Sequence, residues 1–328
     1  MQALQMEMAA RGEFPQARTR ELPAPRPDQV LVRVEASGVS FAEQQMRRGK
    51  YYDQPKFPFV PGYDLVGMAE GRRVAALTKV GGWADHVVLD RADLVPVPDG
   101  VSAEAAETVV VNGLTAYRML HQVAKVKRGQ TIVVLGASGG VGTTLVQLAR
   151  HAGIEVIGTS GPKQLEQVRA MGATVIDHRN EDVAARVRAL APNGVAAVFD
   201  HVGGAGIDDS WRMLGKGGTL VSYGTASTRD VPGNPALPVL KLIAKLQVWN
   251  ALPNGRRATF FNLWAGYRRR DRFRARLRAD LITVFELLRD GVIEPQIAAR
   301  YPLEQAAEAL RFAEAGGFHG KVVIVPGS

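Results

Sequence analysis

Over about the first hundred residues, apolar positions fall into short alternating stretches separated by glycine and proline. From Gln29 to Glu35, Val30, Val32 and Val34 share one face while Leu31, Arg33 and Glu35 share the other, the pattern of a strand in a mostly antiparallel sheet. Arg73–Leu77 and Asp85–Leu89 are shorter pieces of the same kind, so this part of the chain predicts an irregular β domain. From about Asn112 the period changes. Apolar runs predicted as strands at 131–135, 155–159, 174–177, 195–200, 218–223 and 246–249 alternate with helical stretches. Such a series predicts a doubly wound parallel sheet and an α/β fold class. Pro232, Pro235 and Pro238 mark a loop late in this region, and Lys321–Val325 is one further strand, expected to return to the first domain.

The first strand of the parallel series breaks into glycines, Gly136-Ala137-Ser138-Gly139-Gly140-Val141-Gly142, and then into a helix with Val141, Leu145, Leu148, Ala149 and Ala152 on one face. Strand, glycine turn and helix start together form a phosphate cradle. Small residues let the backbone of Ala137, Ser138, Gly139, Gly140 and Val141 approach a pyrophosphate, and the helix N-terminus offers N–H groups and a positive dipole end. The expected ligand is a dinucleotide. Where an NAD-binding domain places an acid on the ribose hydroxyls, this chain has Thr159 and Ser160. A carboxylate would repel a 2′-phosphate, whereas Ser160 can donate to it and Lys163 can neutralise it. His178 and Arg179 follow the third strand and are expected at the same pocket. NADP(H) is therefore the expected cofactor.

At 328 residues and 46% hydrophobic, the chain can bury a large core and is expected to form two domains. It has no cysteine, which excludes disulfides, thiol nucleophiles and cysteine-ligated zinc. No apolar run is long enough to cross a bilayer, and the region around Glu7 lacks the basic and apolar blocks of a signal peptide, so a cytoplasmic location is expected. The net charge of +9 is local: Arg256–Arg278 holds nine arginines and one acid, Asp271, leaving only +1 elsewhere. Phe260, Trp264, Tyr267, Leu277, Leu281, Phe285 and Leu288 approximate helical spacing through this segment. It predicts an amphipathic helix with a cationic side that is solvated or acid-paired, or that contacts anionic lipid or nucleic acid.

Further motifs carry a resemblance. Gly38-Val39-Ser40-Phe41-Ala42, Arg48-Gly49-Lys50-Tyr51, Pro61-Gly62-Tyr63-Asp64 and Asn112-Gly113-Leu114-Thr115-Ala116-Tyr117 precede the glycine turn. Asp200-His201-Val202-Gly203, the run Gly217–Gly224 and Gly320-Lys321-Val322-Val323 follow it. In order and spacing they resemble, across nearly the whole chain, the zinc-independent quinone oxidoreductase (zeta-crystallin-like) branch of the medium-chain dehydrogenase/reductase superfamily. The resemblance implies a GroES-like catalytic domain from residues 1–112 plus 291–328 around an inserted Rossmann NADP(H)-binding domain, 113–290, with the active site in the cleft between them. It also implies that Thr115, Val202, Tyr223, Gly224, Thr225 and Lys321 join Thr159 and the glycine turn at the cofactor, and that Ser40, Phe41, Tyr51, Tyr52 and Asn112 line the substrate site.

Departures from the family shape the expected chemistry. Zinc-dependent relatives bind metal through a cysteine near the position of Ser40 and a histidine at that of Tyr63; both are missing here, as is the four-cysteine structural lobe, so no metal is expected. The hairpin between Gly67 and Arg73 is shorter than in relatives. Without metal, hydride transfer relies on positioning and on hydrogen bonds to the developing oxyanion, a regime that suits a quinone or an α,β-unsaturated carbonyl. Tyr51 is the candidate proton donor or substrate-orienting group; beside Tyr52, Phe57 and Phe59 it could equally be an apolar wall. Asn112 could equally cap the helix that follows. Carbonyl or alcohol oxidoreduction remains an alternative, as does an NADPH-binding adaptor associated with membrane or nucleic acid through Arg256–Arg278, like the vesicle-protein branch of the family. A homodimer is expected.

Overall fold

The computed structural model describes residues 1–228 and 236–327, so the expected loop at Pro232 and Pro235 lies outside the described residues. The chain forms two compact units, one from residues 1–114, 266–316 and 320 onward, the other from 115–265 with 317–319.

The first unit is built on a seven-stranded sheet whose backbone is the long strand Gln29–Val39. Its first half pairs antiparallel with His86–Asp90, its middle with Asp64–Ala69 and its end with Lys321–Val325, so the C-terminal strand does return to the N-terminal sheet. Ile297–Pro302 adds parallel to Lys321–Val325, and Arg72–Leu77 and Val95–Pro96 extend the other edge. The alternation read from the sequence corresponds to burial of Val30, Val32 and Val34 against Leu65, Ala76, Ala84 and Val87. Asp64–Ala69 and Arg72–Leu77 are joined by a two-residue turn in which Glu70 and Gly71 both have positive φ, 49° and 76°. This is the turn whose twist matches that of paired strands, and it closes the shortened hairpin without opening the sheet.

Helix Arg270–Arg289 belongs to this first unit, so the chain re-enters it at residue 266 and not at the expected 291. The reason is its apolar stripe: Phe273, Leu277, Leu281, Val284, Phe285 and Leu288 are buried, and Val284 lies against Gly113. The amphipathic reading holds only from Arg270 onward. Phe260 ends a strand, while Trp264 and Tyr267 lie in turns.

The second unit is a six-stranded parallel sheet in the order Thr174–Asp177, Glu155–Ser160, Thr131–Val134, Val195–Asp200, Leu214–Ser222, Arg257–Phe260. Val133, Ile157, Ile176, Val198 and Leu220 form its core. The predicted strand at 246–249 is instead the end of helix Ala236–Ala251, which buries Leu242 and Leu246 one turn apart. The sixth strand is Arg257–Phe260, whose charged start hid it from a hydrophobicity reading. Pro238 sits in the first turn of that helix, where its missing N–H has no intrahelical partner to lose.

Candidate functional site

Within the parallel sheet, Thr131–Val134 has Glu155–Ser160 on one side and Val195–Asp200 on the other, so the strand order reverses at its carboxyl end. That is the switch point at which open α/β sheets bind ligands, and the glycine turn stands there. Gly136 adopts φ 69°, and Gly139 occupies the cap position of helix Gly140–His151 with no side-chain cap hydrogen bond. A Cβ on Gly142 would lie 2.2 Å from the Gly136 carbonyl oxygen. Turn and helix thus approach as closely as backbone allows. Ser138, Gly140 and Val141 are partly exposed and Gly139 is exposed, with the first helical N–H groups open to an anion. Ala137 differs from expectation: it is buried, its N–H is given to Thr159 O at 2.8 Å, and it packs beneath the turn. Thr159 likewise supports the turn, its Oγ1 accepting the Gly136 N–H at 3.0 Å.

The parallel register sets Asp177 beside Ser160, so the segments that follow both strands emerge side by side. Lys163, His178 and Arg179 are exposed there, and the Arg179 Nε lies 3.8 Å from the place a Cβ on Gly161 would occupy. The neighbouring Asp177 carboxylate is already engaged, accepting from the Arg179 N–H at 3.0 Å and Asn180 Nδ2 at 2.7 Å. Those bonds, the Arg179 amide foremost, hold it below the usual carboxylate range. Ser160 corrects the expectation that it meets a phosphate: it is 1% exposed and its hydroxyl turns to Gly161 O.

On the other side of the switch point, the buried Asp200 carboxylate accepts from the N–H groups of Val202 and Gly203 at 2.7 and 2.8 Å and from Ser210 Oγ at 2.7 Å. It thereby shapes the turn carrying Val202. Tyr223, Gly224 and Thr225 follow the next strand and are partly exposed, with the Tyr223 N–H on Asp200 O. His201, which the motif contains but the site reading passed over, places Nδ1 3.1 Å from Leu135 O and its ring against Gly136. Burial lowers its pKa. Its ring also stands 5.9 Å from that of Tyr223, an arrangement no local sequence signal announces. Thr115 lies buried in helix Asn112–Tyr117, which Asn112, also buried, opens.

Lys321 is a clear correction. Its ammonium is 3% exposed and lies in the first unit, 2.8 Å from Asp64 Oδ2, 2.5 Å from Glu107 Oε1 and 3.3 Å from Glu107 O. All three of its donors are taken, so none is left for a cofactor.

The candidate substrate residues all belong to the first unit. Ser40 caps helix Phe41–Arg47 in a capping box with Glu43, its Oγ bonded to the Glu43 carboxyl and accepting the Ala42 N–H at 3.1 Å. Its hydroxyl is committed to the cap, so any substrate contact must compete with that role. Glu43, which sequence reasoning missed, is fully buried. One of its oxygens accepts the Ser40 N–H at 2.9 Å and the other the Tyr63 N–H at 2.7 Å. The two positions where zinc-dependent relatives carry ligands are therefore tied together by one carboxyl. Burial raises its pKa, and the adjacent Asp64 charge adds to the rise. Among the described residues no three His, Cys, Asp or Glu side chains form a group that could hold a metal ion. Tyr51 is buried with its hydroxyl 2.8 Å from that of Tyr63, while Tyr52 and Phe41 are each 37% exposed.

The arginine-rich segment divides. Arg274 is held by Asp93 through Nε at 2.7 Å and by Asp90 at 2.9 Å, and Arg278 donates to Leu94 O at 2.7 Å. Asp93 and then Asp90 raise the Arg274 pKa. Arg268, Arg269, Arg272 and Arg276 are exposed. Arg274→Ala should therefore lower stability by about 1.5–3 kcal/mol, the range of charged hydrogen bonds. Arg272→Ala should stay within roughly 0.5 kcal/mol of the parent. Urea unfolding of the two variants measures the contrast, and equal midpoints would show that the Asp90–Asp93 clamp stabilises nothing.

A family model described as zinc-binding dehydrogenase matches residues 171–324, and one described as the GroES-like domain of alcohol dehydrogenase matches residues 26–73. The synaptic vesicle membrane protein VAT-1 homolog of Rattus norvegicus is 30% identical over 332 residues, spanning 95% of this chain and 80% of that protein. A mycobacterial protein solved in complex with NADPH is 30% identical with a TM-score of 0.84, covering 99% of this chain and 100% of its own. The quinone oxidoreductase of Pseudomonas syringae is 29% identical with the same TM-score and the same coverage. Among the described residues no helix is long and apolar enough to cross a membrane. With its six-stranded Rossmann-type sheet and its GroES-like β unit, the chain belongs to the medium-chain dehydrogenase/reductase superfamily, in the branch that holds the quinone oxidoreductases and VAT-1 proteins.

Proposed function

We propose that this chain is an NADPH-dependent, metal-free reductase of quinones or α,β-unsaturated carbonyls. The observation that carries the reading is at the ends of the paired strands Glu155–Ser160 and Thr174–Asp177, where the segments that follow present exposed Lys163, His178 and Arg179 and the second strand ends in Thr159 and Ser160 with no acid. Two or three cations fit a 2′-phosphate and offer nothing particular to an unphosphorylated ribose. The open helix N-terminus and the glycine cradle fit the pyrophosphate. A nicotinamide bound by this unit would supply the hydride. The chain's own residues then have two tasks, to hold the acceptor and to provide a proton or hydrogen bond as its oxygen gains charge. Tyr51 is protonated as any ordinary phenol is, and burial, which raises its pKa further, suits it to donate a hydrogen bond to that oxygen.

The donor chemistry also favours a metal-free reaction, since positions 40 and 63 present a hydroxyl and a phenol whose backbones Glu43 already ties. A similar solved protein is described as complexed with NADPH and another as a quinone oxidoreductase, which supports both halves of the reading. The homodimer expected from the family belongs to the same proposal, with Arg257–Phe260 at one edge of the sheet and Leu240 and Val248 exposed on the adjoining helix.

The test has two arms. NADPH and NADH dissociation constants are measured for the parent and for Lys163→Ala/Arg179→Ala. The double variant should lose at least roughly 10²-fold in NADPH affinity, from two charged contacts of about 1.5–3 kcal/mol each, with NADH nearly unchanged. Steady NADPH oxidation with a panel of quinones and enones should accompany it. Preference for NADH in the parent would overturn the cofactor assignment. Tight NADPH binding with no turnover on any acceptor would overturn the enzyme and favour the adaptor alternative.

A further inference from the structure

Three phenols meet in the first unit. The Tyr51 hydroxyl is 2.8 Å from that of Tyr63, with the two rings edge-on at 88° and 6.3 Å between centroids. The Tyr52 ring lies 4.7 Å from that of Tyr51, tilted at 45°. The exposure is graded along this chain: Tyr63 is 5% exposed, Tyr51 8% and Tyr52 37%. Tyr63 is the fixed end. Its N–H is held by Glu43 and its carbonyl accepts the N–H groups of Thr78 and Lys79 at 2.9 and 3.0 Å. Tyr52 is the wet end, followed by Asp53, which pairs with Lys79 at the surface.

This arrangement solves a problem that a lone buried phenol would have. Burial, then the neighbouring Tyr63 and Tyr52, disfavour a Tyr51 phenolate. If Tyr51 gives up its proton it must take another in the same event, and the hydroxyl of a neighbouring phenol that is open to solvent is the means. A tyrosine that merely walls an apolar pocket has no need of such a chain.

We propose that Tyr52, Tyr51 and Tyr63 form a hydroxyl relay in which Tyr51 delivers a proton to the reduced acceptor, Tyr52 replaces that proton from solvent, and Tyr63 positions the Tyr51 hydroxyl. The inference rests on the reductase reading above. Hydride, with its electron pair, comes from the reduced nicotinamide to the acceptor carbon or ring, and the acceptor oxygen or α-carbon takes the Tyr51 proton as its own O–H or C–H bond forms. The Tyr51 oxygen receives the Tyr52 proton, and Tyr52 regains one from water, so the sum is NADPH, one proton and acceptor giving NADP⁺ and the reduced product. Tyr51 is the catalytic residue, Tyr52 a proton carrier and Tyr63 a positioning residue.

The test uses a weakly activated enone, because water can protonate a reduced quinone unaided. Tyr51→Phe, Tyr52→Phe and Tyr63→Phe each keep the ring and remove one hydroxyl, and unchanged melting temperature and NADPH affinity verify the fold. Tyr51→Phe should lower kcat and kcat/KM together by about 10²-fold. Tyr52→Phe should lower kcat by about 10-fold with KM unchanged, and a small exogenous acid such as imidazolium should restore part of it. The parent should show a bowed proton inventory in H₂O/D₂O mixtures, from more than one proton in flight, and Tyr52→Phe a linear one. Tyr63→Phe should raise KM more than it lowers kcat, with the inventory still bowed. In the protein without cofactor, the Tyr51 ¹³Cζ resonance should move in both Tyr52→Phe and Tyr63→Phe. A linear inventory in the parent, or a Tyr52→Phe variant equal to it while Tyr51→Phe is impaired, would sink the relay and leave the reductase standing. Full activity of Tyr51→Phe on the enone would sink the relay too, and activity of the parent on any acceptor would still uphold the reductase.

Discussion

Lys321→Met is expected to destabilise the protein by about 3–5 kcal/mol, the typical consequence of removing one partner from a buried ion pair. Its ammonium stands between Asp64 and Glu107, both fully buried, and Asp64 Oδ2 also accepts the Val111 N–H at 3.2 Å. Methionine fills the space of the stem, which passes Gly38 so closely that a Cβ there would lie 2.2 Å from Lys321 Cε. Packing is thus preserved while two acids lose their cation. One oxygen of each, Asp64 Oδ1 and Glu107 Oε2, already has no hydrogen-bond partner. The loss should shrink at acid pH, where both acids can take up protons. Glu107 supplies a sign for the parent as well. Burial first, with Asp64 adding and Lys321 opposing, holds its pKa well above 4.5. The folded state therefore keeps a proton that the unfolded chain releases above that value, and stability from this group falls as pH rises, by up to about 1.4 kcal/mol per unit. Lys321, whose pKa is raised against its own burial by Asp64 and Glu107, adds stability that is complete below 10.5 and is lost only at higher pH. Glu107→Gln keeps an acceptor for Lys321 and a donor for Asp64, so it should flatten the decline between pH 5 and 8. Urea midpoints for the parent and both variants at those two pH values decide it. A Lys321→Met midpoint within roughly 0.5 kcal/mol of the parent at pH 8 would mean the ammonium is not needed where the structure puts it.

What could be read in advance follows from how local each signal is. The strands at 131–134, 155–160, 174–177 and 195–200 were legible because buried parallel strands are compact apolar runs, each closed by turn residues. Leu246–Trp249 looked the same in isolation, and only the burial of Leu242 with Leu246 marks it as helix. Arg257–Phe260 was missed because an edge strand is less apolar than its neighbours. The glycine turn was legible for the same local reason, as a glycine pattern between strand and helix. Ser160 shows the limit: sequence places it at the end of the right strand but does not say that it faces inward. The carboxyl network was out of reach altogether. Glu43 meets Tyr63 across 20 residues, and Lys321 meets Asp64 and Glu107 across 257 and 214, separations over which only the fold creates a contact. At the positions where zinc-dependent relatives carry ligands, the structure has a cross-link between residues 40 and 63 through the Glu43 carboxyl. That cross-link keeps Tyr63 fixed at the distance from Tyr51 on which the hydroxyl contact depends.

Gly142→Ala should abolish useful cofactor affinity, raising the NADPH dissociation constant by at least roughly 10²-fold, or about 2.7 kcal/mol. The added Cβ would lie 2.2 Å from Gly136 O, 2.8 Å from Ala137 Cα and 3.0 Å from Ala137 C. All three are backbone atoms of the turn itself, so no side chain can swing aside. Relief requires the turn and the helix start to separate, and that separation carries the first helical N–H groups away from the pyrophosphate. Melting temperature should fall as well, since Gly136 is pinned by Thr159 and its positive φ admits few alternatives. Gly139→Ala separates this effect from simple obstruction. Its backbone is ordinary, at φ −78° and ψ 168°, and its Cβ would meet nothing nearer than Gly136 O at 3.5 Å, so the free protein should melt unchanged. Gly139 is nonetheless exposed at the helix cap, where a methyl group would occupy the ligand's approach. NADPH affinity should therefore drop in both variants and stability in only one. Fluorescence titration beside a thermal melt reads the pair, and a Gly142→Ala protein that binds NADPH like the parent would show that the dinucleotide is held somewhere other than this turn.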